Sequence, residues 1–332
     1  MRETLNELCQ YHTIDRIRAK ELLLGIAQGE YDPVLVASFL TVFRMRNVTV
    51  PELLGFRDAM LELAIVPDLG SQRTVDLCGT GGDGKDTFNI STLAAFVTAG
   101  AGVHVTKHGN VSVSSQCGSS DVLQELGAKF TNDESVLRKQ LEQGKFCYLH
   151  APLFHPAMKN VAPIRKALGV RTFFNLLGPL VNPAKPHAQL IGVFSLEIAR
   201  LFHYLLSAGT QDYFVIHSLD GYDEVSLTSD WRIFGRKVDT VVSCEDAQLD
   251  RFAPELLFGG PKERAAELFR TILEGKGSEA QNAVVCANAG YGIMLGLQLE
   301  NYSEALELAR RSLFSGAARK SFDCFIELGN EG

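Results

Sequence analysis

Hydrophobic positions recur at helical spacing over the first 68 residues, and nothing in this stretch is typical of a strand. The segment "YDPVLVASFLTVF" places Asp32 as an N-cap ahead of Pro33, which suits the first turn of a helix. Farther on, Thr49 and Glu52 have the spacing of a capping box. The pattern therefore predicts a small all-helical domain over residues 1–70, closed by a linker at 66–73.

Beyond the linker the pattern changes to short runs of β-branched residues. "TVDLC" at 74–78 and "VHVT" at 103–106 predict strands, and "NISTLAAFVTAGAG" at 89–102 predicts a helix between them. A strand–helix–strand unit favours a parallel sheet. Further strands are expected at 146–151, 189–194, 213–218 and 238–243. We therefore expect an α/β domain with a central, mostly parallel sheet over residues 71–332.

The middle segment 152–186 contains several prolines and is typical of helix and loop rather than of strand. It could interrupt the α/β domain and pack elsewhere. We expect part of 160–186 to join the helical domain.

Composition narrows the class of protein. The chain has 332 residues, of which 46% are hydrophobic and 21% are charged, as in soluble globular enzymes. A net charge of −7 gives no global basic field that would favour nucleic acid. No run of about 18 apolar residues predicts a membrane span, and the N-terminus has no apolar core of a signal peptide. The scattered, odd-numbered cysteines fit reduced thiols, so we expect a cytoplasmic protein.

A glycine-rich stretch, "GTGGDG" at 79–84, follows the first predicted strand. Its glycines match G-x-G-x-x-G, which suggests a dinucleotide site. Such a site needs an acid after the second strand to hold the ribose hydroxyls. Here Lys107 follows that strand, and no acid lies between Asp86 and Asp121. The sequence therefore disfavours a dehydrogenase.

The same stretch suits a phosphate group. Glycines let backbone N–H groups approach an anion, and a helix start near Asn89 adds partial positive charge. The serine-rich stretch "KHGNVSVSSQCGSSD" at 107–121 follows the next strand and offers hydroxyl donors and the Lys107 cation. Ligands of open parallel sheets bind at these strand ends, so the two stretches together predict a polyphosphate site.

Two further features extend this site. Asp223 and Glu224 lie in a loop after the strand predicted at 213–218. Adjacent carboxylates beside a polyphosphate suit Mg²⁺, which is held by one or two carboxylates plus ligand phosphates. Arg165 could bind the carboxylate of a second substrate through its planar guanidinium. The composite predicts a site for a magnesium-bound polyphosphate and an anionic co-substrate.

Four motifs in order, "GTGGDG…TFNIST", "KHGN…SVSS…GSSDVLQELG", "HPAMKNVAPIRKALGVRTFFNLLGPLVNPA" and "GYDEVS", resemble those of the anthranilate phosphoribosyltransferases over nearly the whole chain. The resemblance implies a helical domain plus an α/β domain, and a homodimer. It implies transfer of the 5-phosphoribosyl group from phosphoribosyl pyrophosphate (PRPP) to the amine of anthranilate, with pyrophosphate as the second product. Magnesium, two ions per monomer, is the implied cofactor.

The resemblance also implies residue roles. Those implied to bind PRPP are Gly79, Gly82, Asp83, Thr87, Asn89, Ile90, Ser91, Thr92, Lys107, His108, Gly109, Asn110, Ser112, Ser114, Ser115 and Ser119. Those implied to contact anthranilate are Gly79, Asn110 and Arg165. Those implied to bind magnesium are Ser91, Asp223 and Glu224. Val111 and Phe154 depart from residues that are common in the family.

No nucleophile or general base is assigned, because an arylamine is neutral at pH 7 and positioning with electrostatics can carry such a transfer. His108 and His155 are the candidates for acid–base chemistry, although a structural imidazole is the commoner role. The alternatives are an enzyme resembling the pyrimidine-nucleoside phosphorylases, which share a similar glycine stretch, and a non-enzymatic relative that binds nucleic acid. Arg165 disfavours the first alternative, and the acidic net charge disfavours the second.

Overall fold

The structure is a computed structural model that describes residues 1–112 and 116–331. The chain divides into two compact units. The first unit comprises residues 1–66 and 151–183, and the second comprises residues 67–150 and 184–332. Each unit is therefore built from two separate parts of the chain.

Helices and strands are each numbered in the order in which they occur along the chain. The helices are α1 (Arg2–Cys9), α2 (Arg16–Gln28), α3 (Pro33–Met45), α4 (Val50–Glu62), α5 (Ile90–Gly100), α6 (Ser119–Glu125), α7 (Glu134–Gly144), α8 (Ala151–Phe154), α9 (Ala162–Leu168), α10 (Phe174–Leu177), α11 (Leu196–Ser207), α12 (Lys262–Leu273), α13 (Glu279–Leu297), α14 (Tyr302–Phe314) and α15 (Ala317–Glu331). The strands are β1 (Thr74–Gly79), β2 (His104–Gly109), β3 (Phe146–His150), β4 (Ala188–Gly192), β5 (Asp212–Ser218), β6 (Trp231–Gly235) and β7 (Asp239–Val242). Short 3₁₀ turns lie at Pro156–Asn160, Gly178–Leu180 and Pro254–Leu257.

The first unit is all-helical in its described part, and its helix starts confirm the predicted caps. Asp32 accepts a hydrogen bond from the Val34 N–H at 2.8 Å at the start of α3. Thr49 and Glu52 form the capping box of α4. The rings of Phe56 and Phe173 stack with centroids 4.1 Å apart, so the two parts of the chain share one apolar core.

The second unit contains a seven-stranded sheet in the order β3-β2-β1-β4-β5-β6-β7. The first five strands in that order pair in parallel. Strand β6 pairs antiparallel with β5, and β7 pairs antiparallel with β6. This confirms the predicted α/β class with a mostly parallel sheet. Strand β6 was not predicted, because its apolar run is short and lies between the charged residues Asp230 and Arg236.

Helices α5 and α13 pack against the sheet, and most of their residues are buried. The ring centroids of Phe96 on α5 and Phe146 on β3 lie 4.0 Å apart in the core of this unit. No helix in residues 1–112 and 116–331 is both long and apolar enough to cross a membrane.

The strand order reverses direction between β1 and β4, which makes their carboxyl ends a topological switch point. In open α/β sheets this crevice is the usual place for a ligand. Gly79 pairs with Gly192 at these ends. The glycine-rich stretch therefore starts at the position where the fold favours a binding site.

Candidate active site

The glycine loop, residues 80–89, leaves β1 at this switch point and is anchored by its neighbours. The Thr80 N–H donates to the Gly192 carbonyl at 2.9 Å, and the Phe88 N–H donates to the Leu257 carbonyl at 3.0 Å. Between these anchors Gly81, Gly82 and Gly84 have φ values of +63°, +86° and +73°. These left-handed conformations strain other residues, which explains why the sequence concentrates glycines here.

The loop after β5 that carries Asp223 and Glu224, here called the acidic loop, packs closely against the ends of β1 and β4. This packing explains the glycines at positions 79 and 192. A Cβ atom added at Gly192 would lie 1.5 Å from the Asp223 carbonyl oxygen. One added at Gly79 would lie 2.5 Å from Asp223 Oδ2. The absence of side chains at both positions therefore lets the loop after β5 bring Asp223 against the glycine loop.

The carboxylates of this acidic loop accept hydrogen bonds from the glycine loop and from the first turn of α5. Asp223 Oδ2 accepts from the Gly81 N–H at 2.8 Å. Glu224 accepts from the Ser91 N–H at 3.0 Å and from the Thr87 hydroxyl at 3.4 Å. Asp223, Glu224, Ser91 and Thr87, four of the predicted site residues, are thus brought together.

Burial and mutual repulsion disfavour the charged forms of these acids. Burial and the charge of Asp83 raise the pKa of Asp223 to about 7. Burial, followed by the charges of Asp223 and Asp83, raises the pKa of Glu224 well above its usual range. A cation placed among these groups would reverse both shifts.

The donor set fits Mg²⁺ that is shared with a substrate. In the described ranges no three His, Cys, Asp or Glu side chains form a ready-made metal cage. Mg²⁺ commonly takes one or two carboxylates and completes its shell with water and phosphate oxygens. Asp83 Oδ2 is buried and receives no hydrogen bond from the described residues. The adjacent acids Asp223 and Glu224, with this third carboxylate close by, therefore suit a hard cation.

Helix α5 begins beside these acids. Asn89 is its N-cap, but the side chain does not cap the helix and instead donates to the Cys117 carbonyl at 3.1 Å. The buried Asn89 Oδ1 and Thr92 Oγ1 have no hydrogen-bond partner among the residues described. Ile90 is fully buried and forms the first turn with Ser91. This helix start presents polar groups and the positive end of a helix dipole to the glycine loop.

Strand β2 is longer than predicted, and this corrects the placement of three residues. Lys107, His108 and Gly109 were expected in a loop, but they pair in parallel register with residues 148–150 of β3. Lys107 is 2% exposed, and its Nζ donates to the Leu77 carbonyl. Burial lowers the pKa of Lys107, and the charge of Asp76 opposes that shift. The His108 N–H donates to Asp76 Oδ1 at 3.4 Å.

The serine loop, residues 110–112 and 116–118 in the described chain, connects β2 to α6. Asp121 Oδ2 accepts from the Ser112 N–H at 2.8 Å and from the Gly118 N–H at 2.9 Å. Its Oδ1 atom pairs with Lys262 Nζ at 2.6 Å. Ser119 begins α6. Asp121 therefore holds both ends of the serine loop. The predicted residues Ser114 and Ser115 lie outside the described residues.

Sequence analysis missed Asp86, which links the two loops. Its Oδ1 atom accepts from the Gln116 N–H at 3.3 Å, and its carbonyl accepts from the Gly259 N–H at 2.9 Å. It missed Asp121 and Lys262 as well. Glycine at the N-cap position 118 and an acid in the first turn at Asp121 are helix-start signals visible in the sequence. No local pattern places Lys262 beside Asp121.

Two predicted residues belong to the helical unit. Arg165 lies on α9, is half-buried, and its guanidinium carbon is 5.0 Å from the centroid of the Phe174 ring. Burial lowers its pKa. His155 is 5% exposed, and its Nε2 lies 3.0 Å from the Val181 carbonyl. Burial also lowers the pKa of His155, and these contacts favour a structural imidazole.

Comparisons with known proteins agree with this geometry. The family model described as "Glycosyl transferase family, a/b domain" matches residues 71–319. The model described as "Glycosyl transferase family, helical bundle domain" matches residues 2–64. An anthranilate phosphoribosyltransferase of Flavobacterium psychrophilum is 54% identical over 95% of this chain and 96% of its own length.

Solved structures give the same result. Anthranilate phosphoribosyltransferase from Thermus thermophilus superposes with a TM-score of 0.91 at 34% identity, over 98% of this chain and 99% of the other. The enzyme of that name from Saccharomyces cerevisiae, solved in complex with PRPP and Mg, has a TM-score of 0.91 at 26% identity. Coverage there is 99% of this chain and 97% of the yeast chain.

Proposed function

The chain belongs to the anthranilate phosphoribosyltransferase family, and we propose that it transfers the 5-phosphoribosyl group of PRPP to the amine of anthranilate. The products are N-(5-phosphoribosyl)anthranilate and pyrophosphate. One structural feature supports this proposal more strongly than any other. The glycine loop, the start of α5 and the acids Asp223 and Glu224 converge at the switch point of the sheet, where a diphosphate and Mg²⁺ would fit together.

PRPP would bind along both loops of the second unit. The glycine loop and the first turn of α5 would hold the diphosphate through backbone N–H groups, which suit anions at a helix start. The end of β2 and the serine loop would hold the rest of the molecule. The residues proposed for PRPP are Gly79, Gly82, Asp83, Thr87, Asn89, Ile90, Ser91, Thr92, Lys107, His108, Gly109, Asn110, Ser112, Ser114, Ser115 and Ser119.

Mg²⁺, two ions per monomer, would be held by Asp223 and Glu224 with the Ser91 side chain. When bound, it would neutralise charge on the diphosphate. The position of both acids beside the glycine loop and the start of α5 supports this choice, since phosphate oxygens bound there could complete the shell of the ion. The yeast enzyme with PRPP and Mg bound agrees with magnesium use in this fold.

Anthranilate would be recognised through Gly79, Asn110 and Arg165. The half-buried guanidinium of Arg165 is suited to the carboxylate of an aromatic acid, since arginine forms paired hydrogen bonds with a planar carboxylate. The desolvation that lowers its pKa would also strengthen its attraction for an anion. Such a carboxylate is absent from pyrimidine bases, which separates this function from a nucleoside phosphorylase.

Catalysis would depend on positioning and electrostatics. As the bond between ribose C1 and the diphosphate breaks, negative charge grows on the leaving group. Backbone N–H groups of the glycine loop and the positive end of α5 would stabilise that charge without rearranging. The amine of anthranilate is already neutral, so no residue has to remove a proton before attack, and His108 and His155 are assigned no catalytic role.

We further propose that the protein is a cytoplasmic homodimer, as the family resemblance implies. Sedimentation of the purified chain would test the dimer. A monomer at micromolar concentration would contradict it.

The activity itself is tested by following the fluorescence of anthranilate with PRPP and Mg²⁺. We expect anthranilate to disappear only when both are present. Phosphate-dependent cleavage of uridine or thymidine without anthranilate consumption would instead support a nucleoside phosphorylase. Binding of duplex DNA with neither reaction would support a nucleic-acid-binding relative.

A further inference from the structure

Tyr148 is a buried residue of β3 whose phenol group lies beside the serine loop. The residue is 1% exposed, and it pairs with Lys107 of β2 in the sheet. Its hydroxyl oxygen lies 2.8 Å from Ser119 Oγ and 2.8 Å from Ser120 Oγ. A buried phenol with two hydroxyl partners is a defined polar network, not merely apolar filling.

This network lies directly against the main chain at the end of β2. A Cβ atom added at Gly109 would lie 2.2 Å from the Tyr148 hydroxyl oxygen and 2.4 Å from Ser119 Oγ. The Asn110 carbonyl accepts from the Ser120 N–H at 3.1 Å and from the Ser119 hydroxyl at 3.4 Å. Tyr148 therefore packs against the segment whose residues Gly109, Asn110 and Ser119 are proposed to bind PRPP.

The chemistry of the partners gives the network a direction. A carbonyl only accepts, so the Ser119 hydroxyl donates to the Asn110 carbonyl. The single proton of Ser119 is then used, and the Tyr148 hydroxyl must donate to Ser119 Oγ. By the same count, Ser120 donates to Tyr148, and His150 Nδ1, 2.9 Å away, donates to Ser120. Each hydroxyl donates once and accepts once.

His150, at the far end of this hydrogen-bond network, fits the same direction of donation. Burial lowers the pKa of His150, which favours a neutral ring with one N–H. The ring of Phe130 stacks on it with centroids 4.7 Å apart and fixes its plane. A proton on Nδ1 is the tautomer that the network requires.

We propose that Tyr148 is a positioning residue that holds the Ser119 hydroxyl as a donor toward a phosphate oxygen of PRPP. The inference rests on the PRPP contact proposed for Ser119. A phosphate oxygen would replace the Asn110 carbonyl as the acceptor of the Ser119 proton, while Tyr148 continues to donate to Ser119 Oγ. A hydroxyl that accepts one hydrogen bond becomes a stronger donor of another. Without the phenol, Ser119 can rotate and lose this direction.

The substitution Tyr148→Phe removes the hydroxyl and keeps the ring, including its contact with Phe130 at 4.9 Å. Tyr213→Phe is a matched control on β5. Tyr213 is also 1% exposed, and its hydroxyl lies 2.9 Å from His203 Nδ1. Tyr148→Phe removes the hydrogen bonds to Ser119 and Ser120, and Tyr213→Phe removes the hydrogen bond to His203 Nδ1. Only Tyr148 contacts the proposed PRPP residues.

Calorimetric titration of PRPP with Mg²⁺ measures binding without the transfer reaction. We expect Tyr148→Phe to raise the Kd for PRPP about three- to tenfold, because weakening the proposed hydrogen bond from Ser119 to PRPP costs about that much. The KM for anthranilate should stay within about twofold, and Tyr213→Phe should bind PRPP like the wild type. Melting temperatures of the two variants report general destabilisation. An equal rise in Kd for both variants, or no rise for Tyr148→Phe, would overturn the proposal.

A double-mutant cycle tests whether Tyr148 acts through Ser119. Residues that act through one contact give non-additive losses. We expect Tyr148→Phe to add less than about twofold to the Kd once Ser119→Ala is present, and an additive loss would contradict this mechanism. A wild type that binds PRPP without consuming anthranilate would overturn the proposed function and leave Tyr148 testable. A wild type that does not bind PRPP would overturn both.

Discussion

The two loops at the ends of β1 and β2 are built by different means. The glycine loop relies on main-chain conformation, with left-handed glycines and anchors to β4 and to residues 257–259. The serine loop relies on side chains, because Asp121 holds both of its ends and Tyr148 packs beneath its start. Asp223 and Glu224, which contact the glycine loop, lie on a separate segment after β5. Asp121, which holds the serine loop, is paired with Lys262.

This difference predicts how each loop responds to substitution. A side chain at Gly81 or Gly84 would strain a left-handed backbone, and a Cβ atom at Gly79 or Gly192 would overlap Asp223. A side-chain network loses one hydrogen bond at a time and can be weakened in steps. The glycine loop should therefore fail abruptly, and the serine loop should lose affinity gradually.

The largest effect is expected from removing the acidic pair. The double variant Asp223→Asn/Glu224→Gln keeps the shape of both side chains and removes the charges proposed to hold Mg²⁺. We expect kcat/KM to fall by about 10²- to 10³-fold, the usual cost of losing electrostatic stabilisation at a reacting group. The Mg²⁺ concentration for half-maximal rate should rise as well.

Asp220→Asn is the control for that variant. Asp220 lies in the same loop, but its carboxylate accepts from Ser229 at 2.8 Å and from the hydroxyl of Thr228. It should retain the magnesium dependence of the wild type. An unchanged magnesium dependence in the double variant would remove Asp223 and Glu224 from the metal site.

A smaller effect is expected from Gly192→Ala. The new Cβ would lie 1.5 Å from the Asp223 carbonyl oxygen, so the acidic loop must move. Overpacking of this kind costs about 1–3 kcal/mol of unfolding free energy. We expect kcat/KM to fall about tenfold or more as the acids leave the glycine loop. Urea unfolding and steady-state rates measure the two losses.

Gly209→Ala is the matched control in the same unit. The nearest atom to its added Cβ is the Leu206 carbonyl oxygen at 3.6 Å, an ordinary contact. It should leave stability and rate close to those of the wild type. Equal behaviour of the two alanine variants would show that the strand ends are not packed as described.

The smallest effect is expected at Asp121 in the serine loop. Burial alone would raise its pKa, but hydrogen bonds from Lys262, Ser112 and Gly118 outweigh burial and lower it. The charged carboxylate therefore stabilises the fold above the unfolded pKa of about 3.9. That stability is lost as the pH falls through the lower folded pKa.

The stability difference between wild type and Asp121→Asn should accordingly be constant from about pH 7 to pH 5 and shrink below about pH 4. Urea unfolding at several pH values measures it. Lys262→Gln should weaken the trend without abolishing it, because the two backbone N–H groups remain. A difference that does not vary with pH would contradict the pairing of Asp121 in the folded state.

The sequence was sufficient for features that depend on local pattern. Glycine spacing, the caps at Asp32 and Thr49, and the β-branched runs predicted the helical domain, most strands and the position of the glycine loop. Adjacent acids after a strand were enough to propose Asp223 and Glu224 as partners of that loop. Family resemblance supplied the substrates and the individual contacts.

Features that depend on contacts between distant residues could not be predicted. The length of β2 follows from its pairing with β3, and this pairing buries Lys107 instead of exposing it. The close approach of Asp223 to Gly192 joins residues 31 positions apart. The hydroxyl chain through Tyr148 joins β3 to α6. No local pattern encodes such proximities.

A crystal structure of this chain with PRPP and Mg²⁺ would show where the diphosphate binds. We expect the diphosphate on residues 79–92, with Mg²⁺ held by the carboxylates of Asp223 and Glu224. A diphosphate bound away from the glycine loop, with these acids far from the metal, would contradict this expectation.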